Sequence, residues 1–270
     1  MKQLIAIIFI CFGLLLANPV QSDEGGGNFQ QVCALAINAK IMQTDNLGNI
    51  YLVNNTNQLY KLNKNGKLLS TLNYNYTGNI TQIDVTNPLE IYLFYRELNK
   101  VVFLDNNLAY RGEIGLQKSN IVLAASAARS FDNNIWVFDA GDLQLKKINK
   151  TGEVEQESGN IKQYINDKIA VTQIVDNNDR VFVVDSINGI MVFDLFATYI
   201  KTIPIKQVPE VKVQDKSLFY LKGGKMNRYN WQTAQTASFS LPDTSRVLRM
   251  SIEKERIFLL KPDSVYCYSY

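Results

Sequence analysis

Six short apolar runs recur along the chain, each with an aromatic residue at or near its second position. The runs cover residues 50–53, 91–94, 135–138, 181–184, 218–221 and 257–260. Their first residues are spaced about 42 positions apart, which is the repeat length typical of a four-stranded propeller blade. The pattern therefore predicts six copies of one β-rich unit.

The residues around each run have the same order in every copy. A turn rich in Asp, Asn and Gly precedes the run, as in residues 45–49 and 176–179, and such residues suit tight hairpins. A third strand follows, for example residues 58–62, and then a more polar edge strand such as residues 67–72. Because the run itself is apolar at nearly every position, both of its faces should be buried between stacked sheets.

This order of elements predicts an all-β fold, namely a six-bladed β-propeller of four-stranded antiparallel blades. A β-sandwich or a β-helix with accidental spacing is the alternative. The last copy ends at its third strand, residues 265–268, whereas residues 29–37 form a strand with no blade of their own. We expect the N-terminal strand to complete the last blade, since this removes two exposed sheet edges.

Two cysteines lie on the strands that would pair in this way, Cys33 and Cys267. Neighbouring strands bring α-carbons within bridging distance, so a disulfide is expected if the protein is exported to an oxidising compartment. Two buried free thiols are the alternative.

The N-terminus has the three parts of a secretory signal peptide. Lys2 precedes an apolar stretch at residues 4–17, and small residues follow at Val20 and Ser22. The stretch is too short for a comfortable membrane span, which needs about 20 residues, although an uncleaved anchor is the alternative. We predict a signal peptide at residues 1–22, a flexible segment at 23–28 and one propeller domain at 29–270. The expected location is the periplasm or the periplasmic face of the outer membrane, or else the extracellular space, with no transmembrane segment after cleavage.

Charge and composition exclude several kinds of chemistry. The chain has 28 Lys and Arg against 25 Asp and Glu, a nearly neutral balance that argues against nucleic acid as a partner. It contains no histidine, which removes imidazole-based triads and bases and nearly every zinc or copper site. The sequence therefore predicts a protein that is not an enzyme and has no cofactor or catalytic or metal site.

Two segments carry a resemblance to a known superfamily. Residues 134–139 with 147–153, and residues 180–185 with 189–194, resemble blades of the NHL and TolB-like six-bladed propellers. This resemblance covers essentially the whole chain after residue 28 and implies the fold only, because the superfamily includes hydrolases, receptors and scaffolds.

The resemblance also directs attention to the central channel, since some of these propellers are calcium-dependent lactonases with carboxylates there. The residues expected at equivalent places on the innermost strands are Gln43, Gln82, Ser126, Gln173, Lys212 and Arg249. This set has no carboxylate and two cations, which is unfavourable for calcium. The set predicts a polar, slightly basic channel, either simply hydrated or shaped for an acidic small ligand or peptide carboxylate.

The expected function is a non-catalytic interaction or scaffold module of the cell envelope. Its partner would be another envelope protein, and it would be an accessory subunit of an outer-membrane assembly or secretion machine of the type IX kind, without forming a homo-oligomer by itself. Tyr74 and Tyr76 form a possible contact loop, or else pack at a blade junction. The alternative function is a propeller that binds a small ligand or glycan in its channel or, less favoured, a lactonase-type hydrolase.

Overall fold

The computed structural model describes residues 22–23, 29–72, 78–165 and 168–270. Residues 1–21 of the predicted signal peptide, residues 24–28 of the predicted flexible segment and the predicted contact tyrosines, Tyr74 and Tyr76, lie outside these ranges. Within them, no helix is both long enough and apolar enough to cross a bilayer.

The regular structure of the described chain is almost entirely β-strand, and the strands are joined by turns, loops and two short 3-10 helices. The strands are β1 (Ser22–Asp23), β2 (Gln30–Ala36), β3 (Ala39–Thr44), β4 (Ile50–Asn54), β5 (Leu59–Leu62), β6 (Leu68–Thr71), β7 (Gln82–Asp84), β8 (Glu90–Tyr95), β9 (Lys100–Asp105), β10 (Tyr110–Gly115), β11 (Ala124–Arg129), β12 (Ile135–Asp139), β13 (Gln144–Ile148), β14 (Val154–Glu157), β15 (Val171–Asp176), β16 (Val181–Asp185), β17 (Gly189–Phe193), β18 (Tyr199–Ile203), β19 (Lys212–Gln214), β20 (Ser217–Lys222), β21 (Lys225–Asn230), β22 (Gln235–Ser240), β23 (Arg249–Glu253), β24 (Arg256–Leu260) and β25 (Ser264–Ser269). The 3-10 helices, Leu116–Ser119 and Ile161–Tyr164, lie in the connections between blades 2 and 3 and between blades 3 and 4.

These strands form six antiparallel blades, which confirms the predicted fold. Blades 1 to 5 are β3–β6, β7–β10, β11–β14, β15–β18 and β19–β22, each in chain order from the channel outward. Blade 6 consists of β23, β24 and β25 with β2 as its outer strand. The N-terminal strand therefore completes the last blade as predicted. Strand β1, which the sequence did not indicate, pairs in parallel with β22 at the outer edge of blade 5.

The disulfide lies in this closing pair of strands. Cys33 of β2 is directly opposite Cys267 of β25, and their Cα atoms are 5.0 Å apart in the bonded pair. The bond links residues 234 positions apart and so fixes the ring at its only covalent closure point among the described residues.

The apolar runs are the second strands of their blades, and they form the packing between sheets. In β12 and β16 every residue is buried, because each face of the strand contacts a neighbouring blade. Between blades 2 and 3, for example, Tyr92 and Phe94 lie in one apolar cluster with Ile135 and Val137. Burying one such side chain stabilises the fold by about 1.5–3 kcal/mol.

Blade 5 departs from this pattern. In β20 only Leu218 and Tyr220 are buried, whereas Phe219 and Leu221 stay half-buried. Both half-buried residues lie at the interface with blade 6, where other apolar side chains are only partly covered as well. The sequence pattern alone predicted full burial here.

Candidate functional site

A cavity of about 800 Å³ runs through the centre of the ring. Its wall is formed mainly by the innermost strands, β3, β7, β11, β15, β19 and β23, together with the turns that follow them. Innermost strands converge on the axis of a propeller, so residues far apart in the sequence face one another across this channel.

Five of the six predicted channel residues line the cavity, namely Gln43, Gln82, Gln173, Lys212 and Arg249. Ser126 does not line the cavity, since it is fully buried. Its hydroxyl donates a 3.0 Å hydrogen bond to Oε1 of Gln82, and the amide nitrogen of Gln82 in turn donates to the carbonyl oxygen of Thr172. Gln82 of blade 2 therefore extends over the small residues of blade 3 to reach blade 4. Whether the lining residues have a functional role stays a prediction.

The two predicted cations are both neutralised inside the channel. Nη1 of Arg249 lies 2.7 Å from Oε2 of Glu210, and Nζ of Lys212 lies 2.6 Å from Oε1 of Glu253. The hydroxyl of Thr44 also donates to Oε1 of Glu253, at 2.6 Å. The sequence did not indicate these carboxylates, because only one equivalent position in each innermost strand was expected to face the channel. Glu253 is instead the last residue of β23, and Glu210 precedes β19.

The same side chains join three consecutive blades. Lys212 of blade 5 also donates to the carbonyl oxygen of Thr44 in blade 1, at 2.8 Å. Arg249 of blade 6 donates through Nε to the carbonyl oxygen of Lys40 in blade 1, at 3.0 Å, while it pairs with Glu210 next to blade 5. The charged groups therefore connect blade 6, which closes the ring, to both of its neighbours.

The charged residues that line the cavity are not predominantly basic. Its lining has six acidic and four basic residues, which are Asp45, Asp84, Asp176, Glu210, Asp215 and Glu253 against Arg96, Lys212, Arg249 and Lys254. Burial raises the pKa of Glu210 above its usual value, although Arg249 and Lys212 nearby act to lower it. The expectation of a slightly basic channel thus fails because the strand ends contribute carboxylates.

The two remaining glutamines of the channel differ in their hydrogen bonding. Oε1 of Gln173 accepts a 2.7 Å hydrogen bond from the backbone N–H of Val211, which ties blade 4 to the connection that leads into blade 5. Gln43 has no side-chain hydrogen bond to any described residue and faces the cavity. No group of three or more potential metal ligands of the His, Cys, Asp and Glu types occurs in the described part of the chain. The lining is suited to hydrogen bonding with a polar ligand.

No protein-family model matches the chain. No curated protein matches it either.

Many solved structures share its fold. Virginiamycin B lyase from Staphylococcus aureus is 12% identical with a TM-score of 0.64, covering 90% of this chain and 99% of the lyase. A Bacteroides fragilis protein provisionally described as exported is 12% identical with a TM-score of 0.61, covering 90% of this chain and 94% of that one. BamB from Moraxella catarrhalis is 10% identical with a TM-score of 0.57, covering 90% of this chain and 98% of BamB.

At these identities the comparisons show the fold, a propeller consistent with the NHL and TolB-like resemblance. They also correct one inference from the sequence. The prediction that the protein is not an enzyme is wrong, because virginiamycin B lyase and a streptogramin B lyase, which is 14% identical with a TM-score of 0.59, are enzymes on this fold. The absence of histidine restricts the chemistry that side chains can supply, and it was not sufficient ground for excluding catalysis.

Proposed function

We propose that the protein is an exported propeller of the cell envelope that binds another envelope protein through its loop faces. In its finer form, the proposal is that it acts as an accessory subunit of an outer-membrane assembly or secretion machine. The disulfide between Cys33 and Cys267 supports an oxidising location. The similarity in fold to BamB and to the Bacteroides fragilis protein fits an envelope propeller.

The observation that carries the proposal is that both channel cations are bonded to other residues of the ring. Lys212 and Arg249 form ion pairs and backbone hydrogen bonds that hold blades 5, 6 and 1 together. A cation that already has a countercharge attracts an anionic ligand less strongly than an unpaired cation would. The channel charges therefore act as supports of a rigid disc, and binding is left to the surfaces around it.

Those surfaces expose large apolar side chains. Leu89, Val122 and Phe196 lie on connections between strands and are 71%, 78% and 73% exposed. Singly exposed apolar residues are ordinary on a protein surface, and the proposal is that those on the loop faces contribute to the contact with a partner.

The test is affinity purification of the tagged protein from its own envelope in mild detergent, with mass spectrometry of the proteins that remain bound. We expect a stoichiometric membrane or secretion partner and, after its removal, a monomer by light scattering. The same purification with an unrelated exported propeller as the bait defines the background. A lone monomer that retains no partner in any mild detergent would contradict the proposal.

A second candidate function is binding, or turnover, of a small ligand or glycan in the channel. The cavity volume of about 800 Å³ favours it, since ligand pockets usually measure about 300–1,000 Å³. Gln43 is the suitable residue to test, because Gln82, Gln173 and Arg249 hold the blades together and their loss would also loosen the ring. If the channel binds a ligand, at least one glycan of a panel should raise the melting temperature of the native protein. Gln43→Leu should reduce that rise without lowering the melting temperature of the free protein.

A further inference from the structure

The outer strand of each blade is a sheet edge on the rim of the ring. An open edge presents backbone N–H and C=O groups that another extended chain can bind. Natural proteins prevent such strand addition mainly by irregular pairing, which twists the edge, and by charged side chains along it. The six blades can be compared on both features, because each has one outer strand in the described chain.

Five of the six described outer strands pair irregularly with the strand beside them. The register shifts in the pairs β5 with β6, β9 with β10, β13 with β14, β17 with β18, and β2 with β25. Three of these outer strands also carry charged residues, which are Arg111 and Glu113 in β10, Glu155 and Glu157 in β14, and Lys201 in β18. These five edges are therefore poor templates for a further strand.

The outer strand of blade 5, β22, has neither form of protection. It pairs with β21 at six consecutive positions without a register shift, from Gln235 opposite Asn230 to Ser240 opposite Lys225. Its sequence contains no charged residue and no proline. Because residues in an antiparallel pair alternate in their hydrogen bonding, about half of the β22 residues direct their backbone groups away from β21. We call this side of β22 the blade 5 edge.

A short strand already lies on part of the blade 5 edge. Strand β1 pairs in parallel with β22, with Ser22 opposite Ala237 and Asp23 opposite Ser238. No other blade has a fifth strand in the described part of the chain. Since β1 covers two of the six positions of β22, most of the edge has no paired strand among the described residues. The pairing shows that this edge accepts an added strand, and it gives the direction of that strand.

The side chains of β22 indicate which residues an added strand should carry. Thr236, Ser238 and Ser240 place hydroxyl groups on one face of the strand. Ala237 and Phe239 place apolar groups on the other face, where Phe239 is only partly covered by the cluster between blades 5 and 6. Side chains directly opposite each other on neighbouring strands stabilise a sheet when hydroxyl groups or apolar groups are matched. An uncharged strand of alternating hydroxyl and apolar residues therefore suits this edge.

We propose that the blade 5 edge is a docking site for an extended segment of a partner protein, which adds to β22 as a parallel outer strand in the place of β1. The segment has about six residues, the length of β22, with serine or threonine alternating with valine or a similar apolar residue. It displaces β1 because it forms backbone hydrogen bonds along the whole of β22, whereas β1 pairs with two residues. The inference goes beyond the proposed function, since it adds a binding surface on the rim of the ring to those on the loop faces.

The first test uses a fluorescent synthetic peptide of three valine–threonine pairs with a lysine at each end. Its control is the same peptide with the backbone nitrogens of the central residues methylated, which removes the donors and keeps the side chains. By fluorescence anisotropy, we expect the unmodified peptide to bind the native protein at least about tenfold more tightly than the control, because backbone hydrogen bonds supply the affinity in strand addition. Equal binding of the two peptides would overturn the inference.

Protein variants locate the bound peptide. The variant Thr236→Lys, Ser240→Lys gives β22 the charged residues that protect other edges, and it should bind at least about tenfold more weakly. The variant Leu68→Lys, Leu69→Lys places the same charges on the outer strand of blade 1, where both leucines are exposed, and it should bind as the native protein does. Unchanged melting temperatures show that both variants fold. Equal binding by the β22 variant and the native protein would contradict the proposed site.

Cross-linking tests the direction of the added strand. A benzophenone at the N-terminus of the peptide should cross-link near Gln235, at the start of β22, because the pairing of β1 with β22 is parallel. Cross-links near Ser240 alone, or outside blade 5, would overturn the stated geometry.

Purification from the envelope tests the natural partner. We expect at least one protein that the native protein and the blade 1 variant retain to be lost by the β22 variant. If the β22 variant retains every protein that the native one does, the inference fails, although a partner bound through the loop faces would still support the proposed function. A native dimer that the β22 variant dissolves would assign the edge to a second copy of this chain and would also overturn the inference.

Discussion

The indole nitrogen of Trp136 donates a 2.9 Å hydrogen bond to Oδ2 of Asp176, which joins the second strand of blade 3 to the innermost strand of blade 4. The hydroxyl of Ser130 and the backbone N–H of Phe131 donate to the same oxygen, both at 3.1 Å. All of the Trp136 side chain is buried. One carboxylate thus holds a turn of blade 3 and the largest core side chain of that blade.

Replacement of this indole should loosen the contact between blades 3 and 4. We expect Trp136→Phe to lower the free energy of unfolding by about 1–3 kcal/mol, because a buried carboxylate loses a donor. Urea unfolding followed by circular dichroism measures the change. Trp231→Phe is the matched control, since the Trp231 indole nitrogen has no hydrogen bond to a described residue, and it should cost less. Equal losses in the two variants would show that ring volume, and not the hydrogen bond, matters at Trp136.

The disulfide should stabilise the closed ring. A bond that joins residues 234 positions apart removes much of the freedom of the unfolded chain, and we expect the double variant Cys33→Ala, Cys267→Ala to be less stable by about 2–5 kcal/mol. Thermal unfolding with and without a reducing agent measures this. The native protein should lose stability in the reducing agent and the double variant should not. If the reducing agent leaves the unfolding of the native protein unchanged, the bond contributes nothing to stability.

The ion pair between Arg249 and Glu210 should contribute to the stability of the ring, independently of any ligand. Arg249→Met leaves Glu210 without its countercharge in a largely buried position, and we expect a loss of about 1–3 kcal/mol, reduced from the fully buried case because Arg249 is partly exposed. The double variant Arg249→Met, Glu210→Gln should recover part of that loss. A double-mutant cycle from urea unfolding measures the coupling, and additive effects would mean that the two side chains do not interact.

Gly189 occupies a backbone position that other residues cannot adopt without strain. Its φ is +114°, and a Cβ atom there would lie 2.5 Å from the carbonyl oxygen of Ile203 in the adjacent strand. We expect Gly189→Ala to destabilise the protein by about 2–3 kcal/mol. Gly159→Ala is the control, because a Cβ at Gly159 meets no atom within 4 Å. Similar melting temperatures for the two variants would contradict the strained geometry.

Stability should fall in acid partly through Asp105. A hydrogen bond from the backbone N–H of Ala109 lowers the pKa of Asp105 below its usual 3.8, with burial opposing and with Asn107 and Arg111 adding to the decrease. A carboxylate whose pKa is lower in the folded state stabilises the fold above the unfolded pKa and loses this effect as pH falls through the folded value. Asp105→Asn should therefore be less stable than the native protein at pH 7, and the difference should shrink below about pH 3.8. Urea unfolding as a function of pH measures it; a constant difference would show that the charge has no part.

The ring could be predicted in detail because its signals are local. A strand buried on both faces must be apolar throughout, as at residues 135–138, and the polar turns mark where each hairpin reverses. Ring closure followed from counting strands, since one unmatched strand lay at each end of the chain. That count also placed Cys33 opposite Cys267, a pairing that the structure confirms.

The channel could be predicted only in outline. Strand equivalence placed one residue of each innermost strand near the axis, but it could not show that Gln82 reaches past blade 3 and covers Ser126. The inference against catalysis failed for a related reason. It was based on residue types, and the propeller fold does not determine which chemistry its loops and channel support.

The sequence by itself determined the number of blades, their strand order and the way the ring closes, because hydrophobic periodicity and turn residues act over a few positions along the chain. Only the tertiary structure decided which side chains meet around the axis. The pairs Arg249 with Glu210 and Lys212 with Glu253 join residues about 40 positions apart, and Asp176 of blade 4 accepts hydrogen bonds from Phe131 and Trp136 of blade 3. Such contacts depend on the curvature of the ring and on the reach of each side chain, and no local pattern records either.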